Sequence, residues 1–172
     1  MWTVGHSNRP IEEFLALLQG HGIHRLLDVR TVPRSRHNPQ FNLDTLPETL
    51  AQHGISHLHL PGLGGLRRPR PDSINTAWRN QSFRGYADYM QTAEFQQNLN
   101  RLMDLAHTER VAIMCAEAVP WRCHRSLIAD ALSVRGFQVQ HIMTPTRSDP
   151  HRLTPFAAVD GLNLTYPGLG AF

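Results

Sequence analysis

Residues 111–132, VAIMCAEAVPWRCHRSLIADAL, constrain the fold more than any other stretch of the chain. They open with an apolar run at 111–114 that has the length and composition of a buried strand. The run breaks at Cys115-Ala116-Glu117 and turns at Pro120. It then resumes with helical period: Leu127, Ile128, Ala131 and Leu132 fall on the face a helix lays against a sheet. A thiol and a carboxylate are therefore expected at a strand end, with Arg122, Cys123, His124 and Arg125 where the next helix begins. In open α/β sheets that edge gathers strand ends and helix N-termini, and ligands bind there.

The same alternation recurs along the chain. Residues 2–5 read as a first strand, followed by a loop at His6-Ser7-Asn8-Arg9 and a helix whose buried face is Phe14, Leu15, Leu17 and Leu18. Residues 26–29 form a second strand closed by Arg30, and a helix over about 43–52 leads to a third strand at 56–60. Two helices at 83–90 and 92–107 precede the fourth strand, and a fifth strand is expected at 138–142. Strand and helix alternating in this way predict one α/β domain over 1–172. Its architecture is three-layered, a mostly parallel five-stranded sheet with helices on both faces.

Two segments depart from the pattern. Residues 61–82 carry glycines, prolines and arginines with no periodicity, a connection long enough to be a lid, a binding loop or disordered. The segment from about 144 onward is rich in turns, with Asp160-Gly161 between apolar runs as a hairpin signal. A chain of 172 residues is large enough to bury a core without disulfides or metal. No apolar run approaches membrane-spanning length, and the first residues enter a strand rather than a signal peptide. Two cysteines fit a reducing cytoplasm, the expected location. The formal net charge is +3, and every basic side chain is arginine. Arginine forks suit carboxylate and phosphate, although an arginine coding bias produces the same composition.

The polar residues do not scatter on this scheme. His6 and Ser7 follow strand one, Asp28 and Arg30 close strand two, and Cys115 and Glu117 follow strand four. Asp28 should be partly buried and paired, with Arg30 or Arg125 as its partner. Cys123 and His124 turn toward the sheet, Cys123 as a small buried apolar group and His124 hydrogen-bonding into the crevice. Cys115 is expected to be the more accessible thiol of the two. Arg125 in a first helical turn opposes the helix dipole, so an anion nearby is expected to compensate it. A cysteine phosphatase needs Arg six residues after Cys across a glycine loop, whereas Trp121 stands there and glycine is absent. Cys115, Cys123 and His124 lack zinc-ligand spacing, so no metal is expected. Gly62-x-Gly64-Gly65 runs into prolines and arginines instead of a helix and fails as a dinucleotide fingerprint.

With those residues assembled, the chain resembles the DUF488 family of uncharacterised bacterial and archaeal proteins. The resemblance rests on Thr3-Val-Gly-His-Ser7, Asp28-Val-Arg30, His59-Leu-Pro-Gly-Leu-Gly-Gly65, Phe83-Arg-Gly-Tyr86, Cys115-Ala-Glu117, Cys123-His-Arg125, His151-x-Leu-Thr and Leu164-Thr-Tyr-Pro. It implies an α/β fold and supplies neither substrate nor mechanism. The residues themselves point to an anion-binding crevice for a nucleotide, a phosphorylated metabolite or a nucleic-acid backbone. Catalysis, hydrolysis first, would fall to Asp28, Cys115, Glu117 and His124, and binding to His6, Ser7, Arg30, Arg84, Tyr86 and Arg125. No cofactor and no membrane partner is expected. The alternatives are a non-catalytic nucleic-acid-binding module and a thiol-dependent redox protein built on Cys115.

Overall fold

Alternate residues of the fourth strand enter opposite cores, and this divides the molecule into layers. In the computed structural model, which describes residues 1–169, that strand is β4 (Val111–Cys115). Val111, Ile113 and Cys115 join one apolar cluster, and Ala112 and Met114 join the other. Period-two alternation in a strand buried on both faces produces this split. The second cluster holds α1 (Ile11–Gly20) and α2 (Leu46–Ala51), through Phe14, Leu17, Leu18, Leu46 and Leu50. The first holds α3 (Gln81–Tyr89), α4 (Ala93–Thr108) and α5 (Arg125–Val134), through Tyr86, Phe95, Leu99, Leu127 and Ile128.

The remaining strands are β1 (Trp2–Gly5), β2 (Arg25–Asp28), β3 (Ser56–His59), β5 (Gln140–Ile142) and β6 (Ser148–Pro150). Their spatial order is β3-β2-β4-β1-β5-β6, parallel throughout except for the antiparallel edge strand β6. The sheet thus has six strands where five were expected. Ser-Asp-Pro carries no apolar signal, and the few residues after Ile142 cannot hold a crossover, so the chain must turn back antiparallel. The hairpin around Asp160-Gly161 is formed by β7 (Ala158–Asp160) and β8 (Asn163–Thr165), with Gly161 at φ 60°. The last three residues of the turn-rich C-terminal segment lie outside the described residues.

From β1 the chain passes through α1 toward β2, and from β4 it passes through α5 on the other face toward β5. Crossovers leave in opposite directions from these two neighbouring strands, so a crevice opens between their carboxyl ends.

The segment at 61–82 is built around one buried carboxylate. Asp88 of α3 accepts from the Arg70 amide (2.8 Å), the Ser73 hydroxyl (2.6 Å) and the Asn75 side-chain amide (2.8 Å). Asn75 Oδ1 in turn accepts from the Tyr166 amide at 2.9 Å, which ties this loop to the C-terminal segment.

Candidate functional site

The pairing of β1 and β4 continues past both strand ends. His6 N–H donates to Cys115 O at 3.0 Å and Ser7 N–H to Ala116 O at 2.9 Å. Ser7 sits at φ 51°, a left-handed conformation that a non-glycine residue adopts at a cost and that clusters at functional sites. Close approach is required just before it: a Cβ on Gly5 would overlap the Glu117 carbonyl. Above this junction lies a cavity of about 430 Å³, lined among others by Arg30, Phe83, Cys115, Glu117, Cys123 and His124. A second recess beside it, lined by His6, Ser7, Arg34 and Asn38, shares Arg30, Val32 and Ala116 with the first.

On the β2 side the charges are closed on themselves. Arg30 grips Asp28 in bidentate fashion, Nε to Oδ1 at 2.9 Å and Nη2 to Oδ2 at 2.6 Å, and its own amide adds a bond to Oδ1 at 3.0 Å. Nη2 also donates to Phe41 O at 2.6 Å, and Nη1 lies 3.3 Å from His6 Nε2. Of the two partners open to Asp28, the structure selects Arg30. His6 turns Nδ1 to Ser7 O at 2.7 Å and stacks on Phe41, and burial pulls its pKa down to about 4.

The β4 side is built differently. Arg125 is 1% exposed and lies beneath the cavity floor, not on its lining. Its guanidinium donates to Thr3 Oγ1 (3.2 Å), Ala118 O (3.0 Å), Glu117 O and the sulfur of Cys115 (2.7 Å). Among the described residues no carboxylate forms an ion pair with it. Burial pulls the guanidinium down to about 10, and the exposed Glu117 carboxylate offsets only part of that effect.

Cys115 and Cys123 form a sulfur–sulfur pair at the floor. Their Cα atoms are 7.4 Å apart, a wider span than bridged cysteines usually keep, so we read two thiol sulfurs in contact whose bridging requires the backbone between them to move closer. The expectation that Cys115 lies accessible at the mouth is not met, since both cysteines are buried. Cys115 is 2% exposed and Cys123 6%, because Cys115 belongs to the buried strand itself. Nor is Cys123 only a small apolar group. Its sulfur lies 3.5 Å from His124 Nδ1 and accepts the Arg125 amide at 3.5 Å. His124 donates Nε2–H to Val29 O at 2.9 Å, which leaves Nδ1 as the acceptor facing Cys123. Desolvation lowers its pKa to about 4.

The structure therefore gathers His6, Ser7, Asp28, Arg30, Cys115, Glu117, His124 and Arg125 around the β1–β4 junction. Arg84 and Tyr86, expected to bind substrate, line neither recess and are tied to backbone carbonyls instead. Arg84 Nε donates to Trp78 O at 3.0 Å, and the Tyr86 hydroxyl donates to Leu63 O at 2.8 Å. Sequence reasoning missed the two sulfurs as a unit. Their eight-residue separation across a proline turn was the available signal, and a short 3-10 turn at Pro120–Arg122 folds the segment back. Among the described residues no group of three His, Cys, Asp or Glu side chains is arranged to hold a metal ion.

Fold and site together define an α/β protein with a crevice at the strand ends, floored by two cysteines with a buried arginine beneath them. The chain matches the family described as "Domain of unknown function DUF488" over residues 10–132 and belongs to that family. No curated protein and no solved structure matches it.

Proposed function

We propose that the protein is a thiol-dependent oxidoreductase whose reduced Cys115–Cys123 pair acts on a disulfide held in the crevice. The observation that carries this reading is the buried Arg125 guanidinium, 2.7 Å from the Cys115 sulfur with no carboxylate of the described residues against it. A buried cation needs a counter-charge, and a Cys115 thiolate supplies one.

The thiolate attacks one sulfur of the substrate disulfide and displaces the other as a thiolate. Cys123 passes its proton to His124 Nδ1 and attacks the Cys115 sulfur of the mixed disulfide, and the second substrate thiolate leaves and takes that proton. Two electrons pass to the substrate, which ends as one thiol and one thiolate that takes its proton from solvent, and the protein ends as the Cys115–Cys123 disulfide. Arg34 and Arg122 are exposed at the rim without side-chain partners among the described residues, which favours anionic substrates. Phosphate-bearing small molecules are the first class to try and nucleic acid the second. The cytoplasm, where thiol reductants regenerate the dithiol, is the compartment this chemistry suits.

The test is the titration of Cys115 in a Cys123→Ser variant, followed by thiolate ultraviolet absorbance. The midpoint should lie well below the ordinary value of about 8.5, and Arg125→Met should return it there. A midpoint at or above about 8.5 with Arg125 intact sinks the proposal. In parallel, the reduced wild type should release two thiols per chain from a disulfide substrate, and Cys115→Ser none.

A further inference from the structure

Three polar side chains, His141, His151 and Asp130, remain unused by the crevice and the thiol chemistry, and through Thr3 they form one continuous line to Arg125. Arg125 Nε donates to Thr3 Oγ1 at 3.2 Å, and Thr3 Oγ1 lies 2.6 Å from His141 Nδ1. His141 Nε2 lies 2.9 Å from His151 Nδ1, and His151 Nε2 lies 2.7 Å from Asp130 Oδ1. Thr3 and Asp130 have no solvent exposure, and the His141 and His151 side chains have 7% each.

The two ends set the direction of every link. A guanidinium can only donate. The Asp130 carboxylate is filled as an acceptor, for it also takes the Thr154 amide (3.1 Å), the Thr154 hydroxyl (2.7 Å) and the Tyr166 hydroxyl (2.8 Å). His151 therefore carries its proton on Nε2 and His141 likewise, while the Thr3 hydroxyl points to His141 and turns a lone pair to Arg125. Burial holds His141 near a pKa of about 4, in keeping with this neutral tautomer. The His151-x-Leu-Thr and Leu164-Thr-Tyr-Pro motifs find their place here, since His151, Thr154 and Tyr166 all serve Asp130.

We propose that Thr3, His141, His151 and Asp130 are positioning residues for Cys115, a hydrogen-bonded chain that fixes the rotation of the Arg125 guanidinium and so holds Nη1 on the sulfur. This rests on the thiolate reading above. A guanidinium held only by Ala118 O and Glu117 O could pivot about those carbonyls, and the bond to Thr3 on Nε removes that freedom. The other charged or titratable side chains around the sulfur and its arginine are Cys123, Glu117, Arg30, Arg122, His124, His6 and Arg9, none of which belongs to the chain.

Thr3→Val is nearly isosteric and cuts the line at its first two links, Arg125 to Thr3 and Thr3 to His141. In the full-length Cys123→Ser background it should raise the Cys115 midpoint by about one pH unit, and Thr3→Ser should restore it. His151→Gln, at the far end, should raise it in the same direction and guards against loss of fold in the first variant. If Arg125→Met raises the midpoint while Thr3→Val and His151→Gln leave it in place, the positioning chain is overturned and the thiolate reading stands. If Arg125→Met also leaves it in place, the thiolate reading falls as well.

Discussion

Arg30 and Arg125 are both buried at the same crevice, yet they stand in opposite electrostatic conditions. Arg30 is closed on Asp28 by a two-pronged ion pair, with the nearby carbonyl and imidazole taking the remaining donors. Arg125 is satisfied as a hydrogen-bond donor but not as a charge, since its partners are a hydroxyl, two carbonyls and a sulfur. The difference shows that hydrogen-bond satisfaction and charge compensation are separate requirements. A site that meets the first without the second invites an anion, and here the nearest group that can become one is a thiol.

The most severe way to break the comparison is to remove one member of each region. Arg30→Met strands the Asp28 carboxylate in the core and should cost about 3–5 kcal/mol, read from denaturant melts. Arg125→Met leaves carbonyls unpaired but also removes a desolvated charge, so about 1–3 kcal/mol is expected. Equal losses would mean that the two arginines are equivalent scaffold.

Acid sharpens it next. His6, His124 and His141 are each held near pKa 4 by burial, against 6.5 in the unfolded chain. Between those values the unfolded chain binds more protons, so stability is full above about pH 6.5 and drains as pH falls toward 4. Melting temperature should decline through that window, and His6→Leu should flatten part of the slope. A flat profile would show that these imidazoles are not buried neutral.

The smallest effect belongs to Glu117→Gln. The side chain is exposed, so stability should move by no more than about 0.5 kcal/mol. The Cys115 midpoint should move down slightly, because a carboxylate that disfavours the thiolate is gone.

Much of this architecture was legible in the sequence, for a definite reason. Buried parallel strands read as short apolar runs, and the helices between them announce a face at helical spacing, so the strand ends at His6, Asp28 and Cys115 could be placed on one edge. What could not be read was pairing. Asp28 had two candidate arginines, and choosing between them needs the path of the backbone after β2, where Arg30 turns back on its own strand end. The two cysteines were read apart because their contact depends on how residues 116–122 fold back. Edge strand β6 and the Asp88 hub leave no local pattern: the first is Ser-Asp-Pro without an apolar run, and the second draws its donors from 13 to 18 positions away.

Gly5 has a consequence for anyone who would reshape this crevice. Where β1 ends, the backbone passes so close to Glu117 and Ala118 that no side chain fits between, and a Cβ would come within 2.8 Å of Ala118 Cα. Beneath the crevice the end of β1 is thus held in main-chain contact with residues 117–118, a spacing that glycine at position 5 permits and any side chain would forbid. Pocket depth is accordingly fixed, while breadth is open to redesign at Leu66, Asn80 and Ser82 on the rim. Variants selected for new ligands should accumulate changes around the mouth and leave the base untouched.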